Sequence, residues 1–308
     1  MFWFGLLLAT AVTLAGASIT IGAFQAAGDP AAVVRAYFAA LSSGDAAGAL
    51  AYGDLPDGRH DLLTADVLAA QNAIAPISDV TVLRVLHPNP TIAVVGIGYT
   101  LDFASGPVVV SDLVAVMHRG HDWRLVESAV PEKLDPGNGS TLATFAGAAV
   151  PTGDYAMFPG AVPIIYHTPN LEADSSSRVV RFAGTGDMQL NAQVTAAGVR
   201  SIAPAVQAAL LACLAGRGSP QPLCPVPDPE TAVPGSLRGR MTGKPGAGLE
   251  LTVTSSDGEI DISEEATVSG TYQSLDTNNL TSAVTVKSVG LRAHTFATAP
   301  GKITWATS

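Results

Sequence analysis

"DPAAVVRAYFAALSSGDAAGALAY", residues 29–52, is the stretch on which the reading of the fold turns. Asp29 followed by Pro30 is a helix start, an acid that caps free N–H groups with proline in the first turn. Val33, Val34, Tyr37, Phe38 and Leu41 recur at helical spacing and give the helix one apolar face. Gly44 ends it, Asp45 caps the next, and residues 46–52 form a second short helix.

Working downstream, a third helical stretch runs over residues 61–74 and stops at Pro76. Four strand-like runs follow, at 80–86, 91–103, 108–118 and 123–130. The stretches between them, "HPNP", "ASGP" and "RGHD", carry the Pro, Gly and Asp of hairpin turns. Helices followed by an antiparallel meander make an α+β domain over residues 29–130. The polar, turn-rich stretch 131–147 reads as a linker. Residues 148–308 read as a β-rich second domain with one helix, at 201–215.

Upstream, residues 2–24, "FWFGLLLATAVTLAGASITIGAF", carry no charge. As a helix they would be roughly 34 Å long, enough for a bilayer core of about 30 Å. Residues 1–28 therefore read as a transmembrane anchor that meets the lipid bilayer through 2–24. The alternative is a signal segment cleaved near Ala15-Gly16-Ala17, giving a secreted protein. Both readings put the body outside the cytoplasm, on a single-pass membrane protein or a free one.

The whole chain has 308 residues and a formal net charge of -10. A polyanionic backbone needs basic stripes that this sequence lacks, so nucleic acid is not expected as a partner. Export fits the cysteines. Cys213 and Cys224 flank the Gly/Pro-rich "LAGRGSPQPL", a spacing that reads as a disulfide in an oxidising compartment. No zinc or redox spacing surrounds them, and neither metal nor cofactor is expected.

Helix, Ser-Gly-Asp corner, short helix and a meander closing on "DWRLVES" resemble the nuclear transport factor 2-like superfamily, as found on exported actinobacterial envelope proteins. The motifs "YFAALSSGD" and "WRLVES" carry that resemblance, which covers residues 29–130. It implies a cone in which helices close a bent sheet over a pocket. Some members are ketosteroid isomerases and dehydratases; many are non-catalytic.

Hairpin alternation with "ASGP" as the turn puts Tyr99 opposite Asp112, on one face with Val95, Ile97, Leu101, Val110, Val114 and His118. Tyr37 on the first helix points toward that face. Tyr37, Tyr99 and Asp112 are thus the candidate ligand-binding residues, with no catalytic residue assigned. An isomerase of this family would use Tyr37 with Asp61 as base and a neutral acid on a central strand. Val114 stands at that last place, with Asp112 two residues away.

Other motifs carry less. His118 and His121 sit in a turn without a third ligand. Glu259, Asp261 and Glu265 alternate with Ile260 and Ile262, as on the wet face of a strand. Gly243-Lys244 precedes a proline where a phosphate loop needs Ser or Thr. Asn138 and Asn279 begin chance-length glycosylation patterns. The expected function is that of a membrane-anchored, exported cell-envelope protein with non-catalytic domains binding a ligand or an envelope partner. The alternatives are a small-molecule isomerase or dehydratase and an assembly component of a secretion or transport machine.

Overall fold

Asp29 accepts a hydrogen bond from the Ala31 N–H at 2.9 Å and so opens α1, Pro30–Ser42, as its sequence predicts. Asp45 does the same for the Gly48 N–H at 2.9 Å, starting α2, Ala46–Leu50. α3, Ala65–Ile74, is capped by Thr64. This is a computed structural model, and it describes residues 29–184, 186–214, 238–241, 248–275 and 281–306. The expected membrane segment at 2–24, Cys224, Gly243-Lys244 and Asn279 lie outside the described residues. The architecture is α+β, rich in strands and with few helices.

The first sheet has the order β1-β5-β4-β3-β2. Its strands are β1 Gly53–Asp54, β2 Ile77–Asn89, β3 Ile92–Phe103, β4 Gly106–Arg119 and β5 Asp122–Glu127. β2 is broken by three register shifts, one of them at Asp79, whose φ of 51° is left-handed. Such bulges bend a strand and add twist. α1 packs on the bent sheet, burying Val33, Val34, Tyr37, Phe38 and Leu41 against Val95, Ile97, Tyr99, Leu101 and Val114.

The register of the central hairpin corrects the sequence reading. The turn is the two-residue Ala104-Ser105, closed by Phe103 opposite Gly106, whose φ of 126° suits glycine. A shorter turn slides the pairing by two residues. Tyr99 therefore faces Val110, and Asp112 faces Ile97. A slip of two keeps every side chain on its expected face.

The stretch read as a linker is largely paired structure. It holds β6, Val130–Pro136, a 3-10 turn at Ser140–Leu142, and β7, Ala143–Phe145. β6 is the middle strand of a three-stranded sheet, flanked by β8, Gly153–Met157, and β13, Asp187–Leu190. Short pairs join β9 Gly160–Ala161 to β12 Val179–Val180, β10 Ile164–Tyr166 to β7, and β11 Leu171–Ala173 to β14 Ala192–Val194. Two elements of the first region are tied to this layer. Gln71 of α3 donates to the carbonyls of Phe158 and Ala161, at 3.1 and 2.7 Å. Arg59 exchanges backbone bonds with Asp154 and Ala156 and lies 4.7 Å above the Tyr155 ring.

The remaining sheet packs under α4, Ala196–Leu214. Its strands are β15 Arg238–Met241, β16 Glu250–Val253, β17 Glu259–Leu275, β18 Thr281–Phe296 and β19 Ala299–Trp305. Residues Ala196–Cys213 are long and apolar enough to cross a membrane. In the fold, however, Ile202, Val206 and Leu210 of that helix are fully buried against Ile260, Ile262, Leu291 and Trp305. Asp261 and Glu265 are exposed while Ile260 and Ile262 are buried, the alternation expected of a half-wet strand.

Candidate functional site

The interior of the first sheet is filled with aromatic rings. Tyr37 meets Phe38 edge-on at 5.4 Å and Tyr52 edge-on at 6.4 Å, and lies tilted against Phe182 at 6.0 Å. Phe38 in turn lies 5.0 Å from Tyr99. Phe182 does not belong to the helices or the first sheet. It comes from the loop after β12 and inserts from outside.

Asp112 holds that loop. Its Oδ2 accepts the N–H of Phe182 and its Oδ1 the N–H of Ala183, both at 2.8 Å. Oδ1 also accepts the neighbouring Leu113 N–H at 2.8 Å. Asp112 is only 3% exposed. Burial raises its pKa; the three backbone N–H groups and nearby Arg181 pull the other way without cancelling the rise.

The two tyrosines differ. Tyr37, fully buried, donates its hydroxyl to the Ser128 carbonyl at 2.8 Å. Tyr99, 1% exposed, has a buried hydroxyl with no hydrogen-bond partner. Burial raises both phenols well above their ordinary value, and the negative charge of Asp112 adds to the rise. The three residues thus share one interior, where Tyr37 and Asp112 are committed to backbone partners and Tyr99 is not.

Asp61 stands apart. It is exposed, ion-paired with Arg59 in a surface turn ahead of α3, and outside the aromatic cluster. His118 meets the Trp123 ring edge-on at 5.1 Å, and His121 is exposed in the turn. Among the described residues no three His, Cys, Asp or Glu side chains gather as metal ligands. Asn138 donates its side-chain N–H to the Val253 carbonyl at 2.8 Å. Cys213 is buried near the end of α4.

Sequence reasoning missed two features. Phe182 carries no motif, and its role follows from where the loop after β12 returns. The second is Glu132, on the inward face of β6 and 4% exposed. Its carboxyl makes no hydrogen bond or ion pair among the described residues. Burial, reinforced by the charge of Asp187, pushes its carboxyl up to about 7. An acid between Val130 and Leu134 in "VPEKL" was the available signal, since the strand alternation puts it inside.

Away from the aromatic cluster, a groove of about 540 Å³ separates β4 from the segment around β12 and β13. Val108, Val109, Val110 and Ser111 form one wall; Ser175, Val179, Arg181 and Gln189 are on the other. A smaller apolar recess of about 230 Å³ lies between Phe103 and Tyr166.

Set against known proteins, the chain matches no family model and no curated protein.

Proposed function

We propose that this is an exported cell-envelope protein, tethered to the membrane by residues 2–24, whose first region is a nuclear transport factor 2-like cone used for positioning and partner binding rather than catalysis. The observation that carries the non-catalytic part is Phe182. The volume that a substrate would need beside Tyr37 is taken by the chain's own side chain, and Asp112 is spent on holding it. A general base needs a free carboxylate within reach of a substrate proton, and Asp61 is instead paired at the surface.

The tether rests on the uncharged run at 2–24. The test has two arms. Expressed full-length, the protein should sediment with membranes and stay there in high salt and carbonate. The purified body should exchange solvent deuterium into cyclohexanone no faster than buffer does.

One observation favours an isomerase or dehydratase instead: the unpartnered Tyr99 hydroxyl, buried beside a carboxyl of raised pKa. Ketone exchange that Tyr99→Phe and Asp112→Asn both abolish would establish that reading and remove ours. A role in assembling a secretion or transport machine is a special case of partner binding and shares its tests.

A further inference from the structure

β4 is paired on both sides for only part of its length. β3 follows it throughout, from Gly106 to Met117, whereas β5 pairs only Val116 to Arg119. On the β5 side, no strand among the described residues pairs with residues 106–114. The direction of the backbone groups follows from two bonds. The Asp102 N–H donates to Pro76 on the β2 side, and the His118 N–H donates to Thr91 on the β3 side. In an antiparallel ladder the bonding direction alternates, so the even-numbered residues of β4 bond to β3. Val109, Ser111 and Leu113 then aim their N–H and C=O groups at the open side. The Leu113 N–H is taken by Asp112. Those of Val109 and Ser111 look into the 540 Å³ groove.

Natural proteins blunt such edges with charge, proline or cover. Here Pro107 guards only the start, and the run Val108-Val109-Val110-Ser111 is uncharged and begins with three β-branched valines, with Val109 77% exposed. The groove beside it has the size of ordinary ligand clefts. Its one cation is Arg181, whose carbonyl accepts the Gly184 N–H at 2.9 Å and whose guanidinium makes no hydrogen bond or ion pair among the described residues. The lining's one anion, Asp187, stands opposite Lys133 in the β13–β6 register.

We propose that this edge is a docking site for an extended peptide of a partner protein. The peptide adds as a strand along Val109 and Ser111 and sets one acidic group, a side chain or a terminal carboxylate, against Arg181. The inference rests on the partner-binding reading above and names the kind of partner. Main-chain bonds to Val109 and Ser111 supply affinity, and the Arg181 guanidinium selects for the acid.

The test pans random decapeptides, displayed with free C-termini, against the full chain in detergent. Recovered peptides should carry an acidic residue at one fixed place in a β-prone run. On binding they should protect the Val109 and Ser111 amides from hydrogen exchange. Val109→Pro removes an edge N–H that serves no ladder bond, and should weaken them at least tenfold. Arg181→Gln should weaken them about fivefold or more, chiefly for the acidic peptides. The exchange measurement on the unsubstituted chain stands even if Val109→Pro folds poorly. Peptides that bind without protecting Val109 and Ser111 overturn the edge site and leave partner binding itself intact. Recovery of no peptide overturns the proposal, and so does concentration-dependent self-association that Val109→Pro abolishes, which would make the occupant a second copy. Membrane sedimentation, the test of the tether, is indifferent to all these results.

Discussion

Asp112 and Phe182, 70 positions apart, are joined by a 2.8 Å hydrogen bond from the backbone N–H of Phe182 to the Asp112 carboxylate. That bond and its twin to Ala183 hold a loop of the downstream region in the mouth of the first sheet. Asp112→Asn leaves one acceptor oxygen and turns a second donor toward N–H groups. The expected loss is about 1–3 kcal/mol, the cost of a buried donor left unmatched. Urea unfolding reads the loss, and hydrogen exchange should quicken at Phe182 and Ala183 before it does in α1.

Phe182→Ala removes a ring that touches Tyr37 and is only partly buried. A cost of about 2–3 kcal/mol is expected, toward the lower end for aromatic truncations because part of the ring already meets water. A change under about 0.5 kcal/mol in urea unfolding would show that the ring does not fill the interior.

The two tyrosines should answer oppositely to the same substitution. Tyr37→Phe loses the bond to Ser128 and should cost about 1–2 kcal/mol. Tyr99→Phe deletes a buried hydroxyl that has no partner, and should be neutral or stabilising. Thermal melts of both variants side by side check the contrast.

Glu132 makes stability depend on pH. Its folded pKa, about 7, lies above the 4.5 of a free glutamate, so the folded state binds the proton more tightly. Its contribution is complete below pH 4.5 and is lost as pH rises through 7, amounting to about 3 kcal/mol. Glu132→Gln keeps the shape without the charge and should therefore be more stable than the natural chain at pH 8. The gap should close toward pH 4.5. Urea midpoints measured across that range give the curve.

Export predicts a disulfide between Cys213 and Cys224. Alkylation of the folded, unreduced protein should label neither cysteine, and mass spectrometry after reduction should add two labels. Two labels before reduction would place the body in a reducing compartment.

Much of this molecule was legible in local sequence. Asp29-Pro30, Gly44 and Asp45 set the first two helices because caps and turns depend on a few neighbouring residues. Alternation put Tyr99 and Asp112 on the buried face of their strands, and that survived a wrong turn length because a slip of two preserves the face. What alternation could not supply was the partner. Whether Asp112 faced a ligand, Tyr99 or a distant loop depended on where the chain came back after 70 residues, which no local pattern encodes. The plug at Phe182, the buried Glu132 and the unpaired edge at Val109 are all of this kind. Each arises where a strand or loop remote in sequence arrives, or fails to arrive, beside another. Those arrivals are set by packing across the whole molecule, so the tertiary structure alone decided them.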